Sequence, residues 1–366
     1  MQMGRFTVSR GKLALVGVAV LAVLLTLLVA PRNQAVPGIG SSGATSTPSG
    51  PLAPTSTPFG VMTNKEIGTW VWNPIAQMPT STMQQIVDDA ADSHFNAIYL
   101  SIDPYLNIYN LRAGAAKQAA FARFSNALYE FISIAHQRGI AVDAEAGEID
   151  WGEPQYYWQP YAVMSFVQSF NATHDGKFRG VQFDVESYSL PDYATDPATV
   201  LADYVGLVRN LVSRDQAAAA SSTASSSAPL PLTMIVPYFY SSDHGTVPKI
   251  VIGGVADYPF NHVVRALGAL PAGSGRVMVL AYRNVVTGGG GSVALAGDEV
   301  RAADGTGVQV IVAQEAGDVS PRSITFFGMS KDDLYGATAA IDGAFANDAS
   351  YGGIAVDYLQ AFLALR

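Results

Sequence analysis

The chain has 366 residues, which is enough for one large domain or two small ones. Its net charge of −9, with 14% charged residues and no basic cluster beyond the N-terminal tip, argues against nucleic acid as a partner. Cysteine is absent, which excludes disulfide bonds and thiolate chemistry, and the five histidines lack the close spacing of a metal site, so we expect neither metal nor cofactor.

Residues 1–30 predict an export signal or an N-terminal membrane anchor. Arg5, Arg10 and Lys12 precede the uncharged apolar run Leu13–Ala30. This run is just long enough to cross a bilayer and is longer than a usual signal core, which favours a retained anchor over cleavage. We therefore expect an extracytoplasmic protein, either anchored in the cell membrane or secreted.

Residues 31–64 are rich in Pro, Ser, Thr and Gly and predict a disordered linker. A second low-complexity segment, Ala217–Ala228, predicts a surface loop inserted in the folded part. Gly288–Gly291 is a further flexible point without a phosphate-binding motif. The folded domain is expected to occupy residues 65–366.

In this domain, short apolar runs alternate with amphipathic segments. The predicted strands are Thr69–Trp72, Ala97–Ile102, Ile140–Ala144, Gly180–Glu186, Leu232–Val236, Arg276–Tyr282, Val308–Ala313 and Gly353–Val356. The predicted helices include Thr82–Ser93, Ala115–Arg138, Tyr161–Thr173, Ala198–Arg214, Lys331–Asn347 and Tyr358–Arg366. Such alternation predicts an α/β protein with a (β/α)8 TIM barrel. The alternative is a doubly wound open sheet, but no glycine fingerprint follows the first strand.

The segment Gly180–Tyr188 carries the strongest functional signal. Gln182, Asp184 and Glu186 alternate with apolar residues, so on a strand they share one face. Two such acids can hold one carboxyl group protonated while the other is ionised, which suits acid–base catalysis. The alternative is a strand whose polar face only makes structural hydrogen bonds.

Acids and aromatic rings also occur at the ends of most other predicted strands, where TIM barrels place their catalytic groups. Aromatic rings stack on sugar C–H faces and carboxylates bind hydroxyl groups, so the set suggests a carbohydrate site. The candidate substrate-binding residues are Trp70, Trp72, Tyr99, Asp103, Glu145, Gln182, Tyr188 and Asp357. The structural alternatives are a barrel plug by Trp70 and Trp72, helix capping by Asp103 and Asp357, an ion pair between Glu145 and Arg283, and solvent exposure of Glu315.

Phe183-Asp184-Val185-Glu186 resembles the end of the DxxDxDxE signature of chitinase-like (family 18) glycoside hydrolases. The resemblance implies that Glu186 is the general acid and that Asp184 orients a substrate acetamido group. Met278-Val-Leu-Ala-Tyr282 is similar, with wider spacing, to the Met-x-Tyr pattern of the family's sixth strand, which implies that Tyr282 lies near that group. Gly352–Val356 is similar to its eighth-strand segment but lacks the expected Trp.

The chain also departs from this family. Arg179 and Gln182 replace the first two acids of the signature, and the third-strand Ser-x-Gly-Gly is absent. A second mechanism is open, in which Glu186 acts with Glu315 at the end of the seventh strand. A retaining pair of carboxyl groups would be about 5–5.5 Å apart and an inverting pair about 6.5–9.5 Å. The absence of Asn before Glu186 argues against the ordinary retaining group.

The sequence thus predicts an exported glycoside hydrolase-like protein that acts on a polysaccharide or oligosaccharide, with N-acetylated sugars as one candidate class. The catalytic candidates are Glu186, Asp184, Glu315 and Tyr282. The alternative function is a non-catalytic carbohydrate-binding barrel at the cell surface, because half of the acidic signature is missing.

Overall fold

A computed structural model of the protein describes residues 57–221, 228–241 and 247–366. The predicted signal or anchor, most of the predicted linker and part of the second low-complexity segment lie outside these ranges. Within these ranges, no helix is both long and apolar enough to span a membrane.

Eight parallel strands form a closed barrel, and a small antiparallel hairpin lies outside it. In chain order the strands are β1 (Glu66–Val71), β2 (Ala97–Ser101), β3 (Ala141–Ala146), β4 (Gly180–Phe183), β5 (Leu232–Pro237), the hairpin strands β6 (Ile250–Ile252) and β7 (Val255–Asp257), then β8 (Gly275–Leu280), β9 (Gln309–Glu315) and β10 (Tyr351–Asp357). The barrel order is β1-β10-β9-β8-β5-β4-β3-β2, and β1 pairs with both β2 and β10. The predicted TIM barrel is therefore confirmed, and the open sheet is excluded.

Helices surround the barrel and cover its outer face. They are α1 (Thr80–Asp92), α2 (Pro104–Tyr109), α3 (Ala115–Gln137), α4 (Trp158–Thr173), α5 (Pro197–Ser221), α6 (Pro259–Leu267), α7 (Ser292–Ala303), α8 (Lys331–Phe345) and α9 (Leu359–Leu363). The strands are rich in Val and Ile because both of their faces are buried, against the helices outside and against one another inside.

The folded domain begins before residue 65, in contrast to the predicted linker boundary. Phe59 and Val61 are fully buried. The ring of Phe59 packs edge-on against Tyr335 of α8, with centroids 4.8 Å apart, and the Thr338 hydroxyl donates to the Phe59 carbonyl oxygen at 2.7 Å. These eight or so residues have linker-like composition, but two apolar side chains suffice to attach them to the barrel.

The prediction of a surface loop over Ala217–Ala228 was also wrong in part. Residues 217–221 continue α5 rather than starting a loop. Four consecutive alanines, residues 217–220, have the highest helix propensity, and they extend a helix that tertiary packing has already nucleated.

A buried ion-pair cluster closes the amino-terminal end of the barrel. Arg179 donates to both carboxylate oxygens of Asp143, at 2.9 and 2.6 Å, and Arg276 donates to the Asp143 Oδ2 atom at 2.6 Å. Both arginines also donate to Glu66, whose Oε1 atom accepts from the Tyr99 hydroxyl at 2.5 Å. An open pocket of about 380 Å³ lies over the cluster. The carboxylates of Asp143 and Glu66 already bind the guanidinium groups of the two arginines, so much of the charge that lines this pocket is balanced within the protein.

The cluster joins β1, β3 and β8 through oppositely charged side chains that stabilise one another. Burial acts to raise the pKa of Asp143, but the charges of Arg179 and Arg276 outweigh it and hold that pKa well below its usual range. The carboxylate is thus ionised in the folded protein because two cations surround it. Removal of the Asp143 charge would leave the guanidinium groups of Arg179 and Arg276 with Glu66 as the one remaining carboxylate of the cluster.

We predict that Asp143→Asn lowers the free energy of unfolding by about 3–5 kcal/mol at neutral pH, as is typical when one partner of a buried ion pair is removed. The pKa of Asp143 is lowered on folding, so this contribution is fully present above the unfolded pKa of about 3.8 and is lost progressively as the pH falls from there through the lower pKa of the folded state. Urea unfolding at several pH values measures both effects.

The matched control is Asp88→Asn. Asp88 pairs with Arg138 on the surface, where the two side chains are 33% and 38% exposed. Its loss should cost less than about 1 kcal/mol. Similar losses for the two variants would contradict the interpretation of the Asp143 cluster.

Candidate active site

Acidic and aromatic side chains meet at the carboxyl-terminal end of the barrel. Ala313 and Ala355 belong to the cluster that fills the barrel interior. Side chains on a strand alternate between faces, so Glu315 and Asp357, two residues further along, also point inward. They are register partners on β9 and β10. The barrel thus places two carboxyl groups side by side at its mouth.

Asp357 is held by two donors from neighbouring strand ends. The Tyr282 hydroxyl donates to its Oδ2 atom at 3.1 Å, and the indole N–H of Trp72 also bonds to the carboxylate. Burial raises the pKa of Asp357 to about 6 although both donors act to lower it, and the charge of Glu186 raises it further. The pKa of Asp357 thus lies above that of a free aspartic acid mainly because the carboxyl group is buried.

Glu315 is less exposed than Asp357 as a whole residue, with only 3% of its surface exposed, although the Oδ1 atom of Asp357 is itself buried. Its Oε1 atom accepts from the backbone N–H of Gly317 at 2.5 Å, and the N–H of Ala316 also bonds to the carboxyl group. Burial first, and the charge of Asp357 second, raise the pKa of Glu315 well above its usual range. Its predicted alternative, a side chain directed into solvent, is wrong.

Glu186 does not lie on a strand, which corrects the prediction that β4 continues to this residue. β4 ends at Phe183, and the Ser187 N–H bonds to the Val185 carbonyl oxygen at 2.9 Å in a tight turn. The short 3₁₀ helix Ser187–Ser189 follows. The Glu186 carboxylate accepts a hydrogen bond from the Tyr188 hydroxyl. The chain therefore turns away from the sheet after Phe183. The turn brings the Glu186 carboxylate within hydrogen-bonding reach of the Tyr188 hydroxyl in the same loop.

The loop after β4 is anchored to the end of β5. The Ser187 and Tyr240 hydroxyls form a hydrogen bond of 3.1 Å. The ring of Tyr188 packs edge-on against Phe239, with centroids 5.4 Å apart. Buried aromatic contacts thus restrict the position of Glu186.

Asp184 is half-buried between Glu186 and the strand. Its N–H donates to the Ala146 carbonyl oxygen at 3.1 Å, so its backbone still follows β3. A Cβ atom on Gly147 would overlap with the Asp184 carbonyl group, which makes a glycine necessary at this position.

Tyr282 connects the acids of the mouth. Burial raises the pKa of Tyr282 well above its usual range, and the charges of Asp357, Glu315 and Asp184 raise it further, in that order. Its hydroxyl therefore stays protonated and acts as a hydrogen-bond donor.

Two other predicted acids lie on the β2–β3 side. Asp103 accepts from the Ser101 hydroxyl at 3.2 Å and from the Gly147 N–H at 3.4 Å, and it makes no side-chain capping bond to α2. Gly147 adjoins Asp184, so Asp103 belongs to the same end of the barrel. Glu145 is fully buried on β3, where it is the register partner of Ser101 on β2 and of Gln182 on β4.

Three predicted substrate contacts lie in the barrel core instead of at the mouth. Trp70 is 2% exposed and lies beneath the half-buried Trp72, with stacked rings 6.4 Å apart. The Tyr99 hydroxyl reaches Glu66 at the opposite end. Gln182 is fully buried, and its Nε2 atom is 3.8 Å from the Met278 sulfur. This placement does not support direct substrate contact by Trp70, Tyr99 or Gln182.

The aromatic residues after β5 are part of the site although they were not among the predicted site residues. Arg283 donates to the Tyr238 hydroxyl at 3.3 Å, and its guanidinium group lies 5.2 Å from the centre of that ring. The signal in the sequence was the aromatic run Tyr238–Tyr240, which follows the predicted strand Leu232–Val236 after a single proline. In the described ranges, no group of three or more histidine or acidic side chains is arranged to hold a metal ion.

No family model and no curated protein matches this chain. Among solved structures, it is similar to the endo-β-1,4-mannanase from Thermotoga petrophila, with 10% identity, a TM-score of 0.48, and coverage of 82% of this chain and 69% of that one. It is also similar to an endo-1,4-β-mannanase from Rhizomucor miehei, with 12% identity, a TM-score of 0.47, and coverage of 80% and 85%. A D-psicose 3-epimerase matches with 12% identity, a TM-score of 0.44, and coverage of 80% and 84%. These values are too low to support any argument about activity.

We predict that Gly147→Ala displaces the backbone at Asp184 and lowers the free energy of unfolding by about 1–3 kcal/mol, the usual cost of overpacking. The control is Gly336→Ala on the exposed face of α8, where an added Cβ atom meets nothing within 4 Å. The control should stabilise the protein by about 0.5–1 kcal/mol. Thermal unfolding compares the two, and an unchanged stability of the Gly147 variant would contradict the close approach of β3 and β4.

Proposed function

We propose that the protein is a glycoside hydrolase that acts on a polysaccharide or oligosaccharide, with Glu186 as the general acid. The observation that carries this proposal is the presence of the register partners Glu315 and Asp357, on β9 and β10, and of Glu186, after β4, at the carboxyl-terminal end of a TIM barrel. The charge of Glu186 raises the pKa of Asp357, and the charge of Asp357 raises that of Glu315. TIM-barrel enzymes have their active sites at this end.

The chemistry of glycosidic bonds fits this group of residues. Hydrolysis needs one carboxyl group that donates a proton to the leaving oxygen and a second one that is ionised. Mutually interacting carboxyl groups in a partly buried mouth favour such a division of protonation states. The half-buried rings of Trp72 and Tyr358 lie beside Asp357 and offer surfaces for sugar C–H faces.

The class of sugar rests on the resemblance to chitinase-like hydrolases. Asp184 and Glu186 have the spacing of the final two acids of that signature. The charge of Asp184 acts on Tyr282, which supports the placement of both beside one substrate group. We therefore propose N-acetylated sugars as the first class to test. Export, and attachment to the membrane through Leu13–Ala30, are proposed from the N-terminal sequence alone.

The second candidate function is a carbohydrate-binding barrel without activity. Arg179 and Gln182, which replace two acids of the signature, cannot share a proton with Asp184. In the structure, Arg179 pairs with Asp143 and Gln182 lies in the core, so neither compensates for the missing acids at the mouth.

We predict that Glu186→Gln lowers kcat about 10²–10⁴-fold, the usual contribution of a general acid, and changes sugar affinity only a few-fold. Release of reducing ends from chitin-type and cell-wall oligosaccharides measures the first quantity, and calorimetry measures the second. Glu130→Gln on α3, where the carboxylate accepts a hydrogen bond from the Thr80 hydroxyl in the helix layer outside the barrel, is the control and should keep wild-type activity.

Two outcomes distinguish the functions. If the wild-type protein binds oligosaccharides but cleaves none, and the Glu186 variant binds them equally well, the hydrolase proposal fails and the binding barrel is supported. If the wild-type protein neither binds nor cleaves any member of the panel, both proposals fail.

A further inference from the structure

We propose that the exposed rings of Trp158 and Tyr109 form an aromatic platform beside the mouth of the barrel, which stacks against sugar units of a polysaccharide chain that extends out of the mouth. The ligand is therefore a chain of several sugar units, of which only a part lies among the acids. The inference rests on the proposed function, because the same chain must also occupy the mouth, and it applies to a hydrolase and to a binding barrel alike.

The two rings of the platform lie against each other at the surface. Trp158 is the first residue of α4, and Tyr109 is the last residue of α2. Their ring centroids are 5.8 Å apart, and their planes are tilted by only 29°. The two residues nevertheless stay 42% and 43% exposed. Nearly parallel rings that remain open to solvent are suited to stacking on the C–H faces of sugars.

The platform is held in place from beneath and from one side. Tyr105, four residues before Tyr109, packs against it with centroids 6.0 Å apart and stacks on the buried ring of Phe166 at 4.3 Å. Lys117 of α3 donates to the Tyr109 carbonyl oxygen, and its ammonium group lies 5.3 Å from the centre of the Tyr109 ring. The rings are thus positioned before a ligand arrives, which lowers the entropic cost of binding.

Contacts of α2 place Tyr109 close to the candidate active site. The helix begins directly after Asp103, whose carboxylate accepts from the Gly147 N–H at 3.4 Å. Gly147 lies against the carbonyl group of Asp184, where an added Cβ atom would overlap with it. A helix of six residues is only about 9 Å long, so Tyr109 lies a short distance outward from the acids of the mouth.

A second series of contacts connects Trp158 with the same acids. The side chain of the next residue, Gln159, accepts a hydrogen bond of 3.0 Å from the indole N–H of the buried Trp151. Trp151 packs edge-on against Phe183, the last residue of β4, with centroids 6.2 Å apart. The start of α4 is therefore attached to the end of the strand that leads to the proposed general acid.

The loops after β3 and β4 also touch each other directly. A Cβ atom on Gly152 would lie 2.7 Å from the Cβ atom of Ser187, so the two backbones approach closely here. Ser187 follows Glu186 in the chain. One packed unit thus carries both the proposed acid and the platform, so a single sugar chain can reach both.

The surroundings of the rings are polar, as binding of a sugar requires. Exposed amide side chains flank Tyr109 on both sides and precede Trp158 by three residues, namely Asn107, Asn110 and Gln155. An amide both donates and accepts hydrogen bonds, so it can bind a hydroxyl group in either role. Rings for the C–H faces and amides for the hydroxyl groups together match the two kinds of surface that a sugar unit presents.

The test compares ligands of two lengths from the oligosaccharide panel. Trp158→Leu keeps an apolar side chain but removes the flat ring, so calorimetry should show about three- to tenfold weaker binding of a hexasaccharide. A disaccharide should bind as it does to the wild-type protein, because it fills only the mouth. Trp158→Tyr, which supplies a ring again, should recover most of the lost affinity.

The matched control is Tyr129→Leu. Tyr129 is 40% exposed, but it lies about 21 Å along α3 from the start of that helix and contacts His174, which follows α4. It is therefore directed towards the opposite end of the barrel, and its replacement should change neither affinity. Tyr109→Leu is a second platform variant, expected to weaken hexasaccharide binding alone, and it replaces Trp158→Leu if thermal unfolding shows that protein to be misfolded.

The outcomes separate the platform from the proposed hydrolase. If folded platform variants bind the hexasaccharide as the wild-type protein does, or lose the disaccharide equally, the platform is refuted and the hydrolase proposal is unaffected. If the wild-type protein shows the expected dependence on length and on Trp158 but cleaves nothing, the hydrolase fails and the platform stands. If it binds no oligosaccharide, both fail.

A protein partner is the competing occupant, because Leu111 and Phe121 are also exposed near the start of α3. Ultracentrifugation of the wild-type protein with and without the hexasaccharide distinguishes the two. Self-association that the hexasaccharide leaves unchanged and that Trp158→Leu reduces would assign the surface to a second copy of the chain and overturn the proposal.

Discussion

The hydrogen bonds between β1 and β10 close the barrel, and the arrangement of the site depends on this closure. They join segments far apart in the chain, as in the bond of 2.9 Å from the Thr69 hydroxyl to the Val356 carbonyl oxygen, 287 residues away. Trp72 and Asp357 each follow this pairing by one or a few residues, and they meet because the two strands are neighbours. In an open sheet with β1 and β10 at opposite edges, the indole could not bond to that carboxylate.

The two ends of the barrel use the same acidic side chains in opposite electrostatic settings. At the amino-terminal end, Asp143 is surrounded by two guanidinium groups, and its pKa is held low. At the carboxyl-terminal end, Asp357 and Glu315 are register partners, burial raises the pKa values of both, and no cation in the described part of the chain acts to lower them. The first setting stabilises a charge and joins strands, while the second favours the protonated forms of both carboxyl groups. Burial is common to both ends, so the difference arises from the partners.

Much of the fold could be read from local patterns. Each barrel strand is a short run of β-branched and apolar residues, and this composition reflects burial on both faces, which is a property of the segment itself. The path of the chain after β4 could not be read in this way. The alternation of Gly180–Glu186 continues past the end of the strand at Phe183, and the contacts of Tyr188 with Glu186 and Phe239 decide where the chain turns. Alternation alone does not reveal such contacts.

The sequence by itself determined the barrel, the order of its strands along the chain and the positions where acids follow strands, because hydrophobic periodicity and residue type are local properties. Only the tertiary structure decided which acids meet. It buried Glu315 under a turn, oriented Asp357 between Tyr282 and Trp72, and directed Tyr99 to the opposite end. The physical reason is that a pKa and the direction of a side chain depend on neighbours contributed by other strands, which no single segment of the sequence contains.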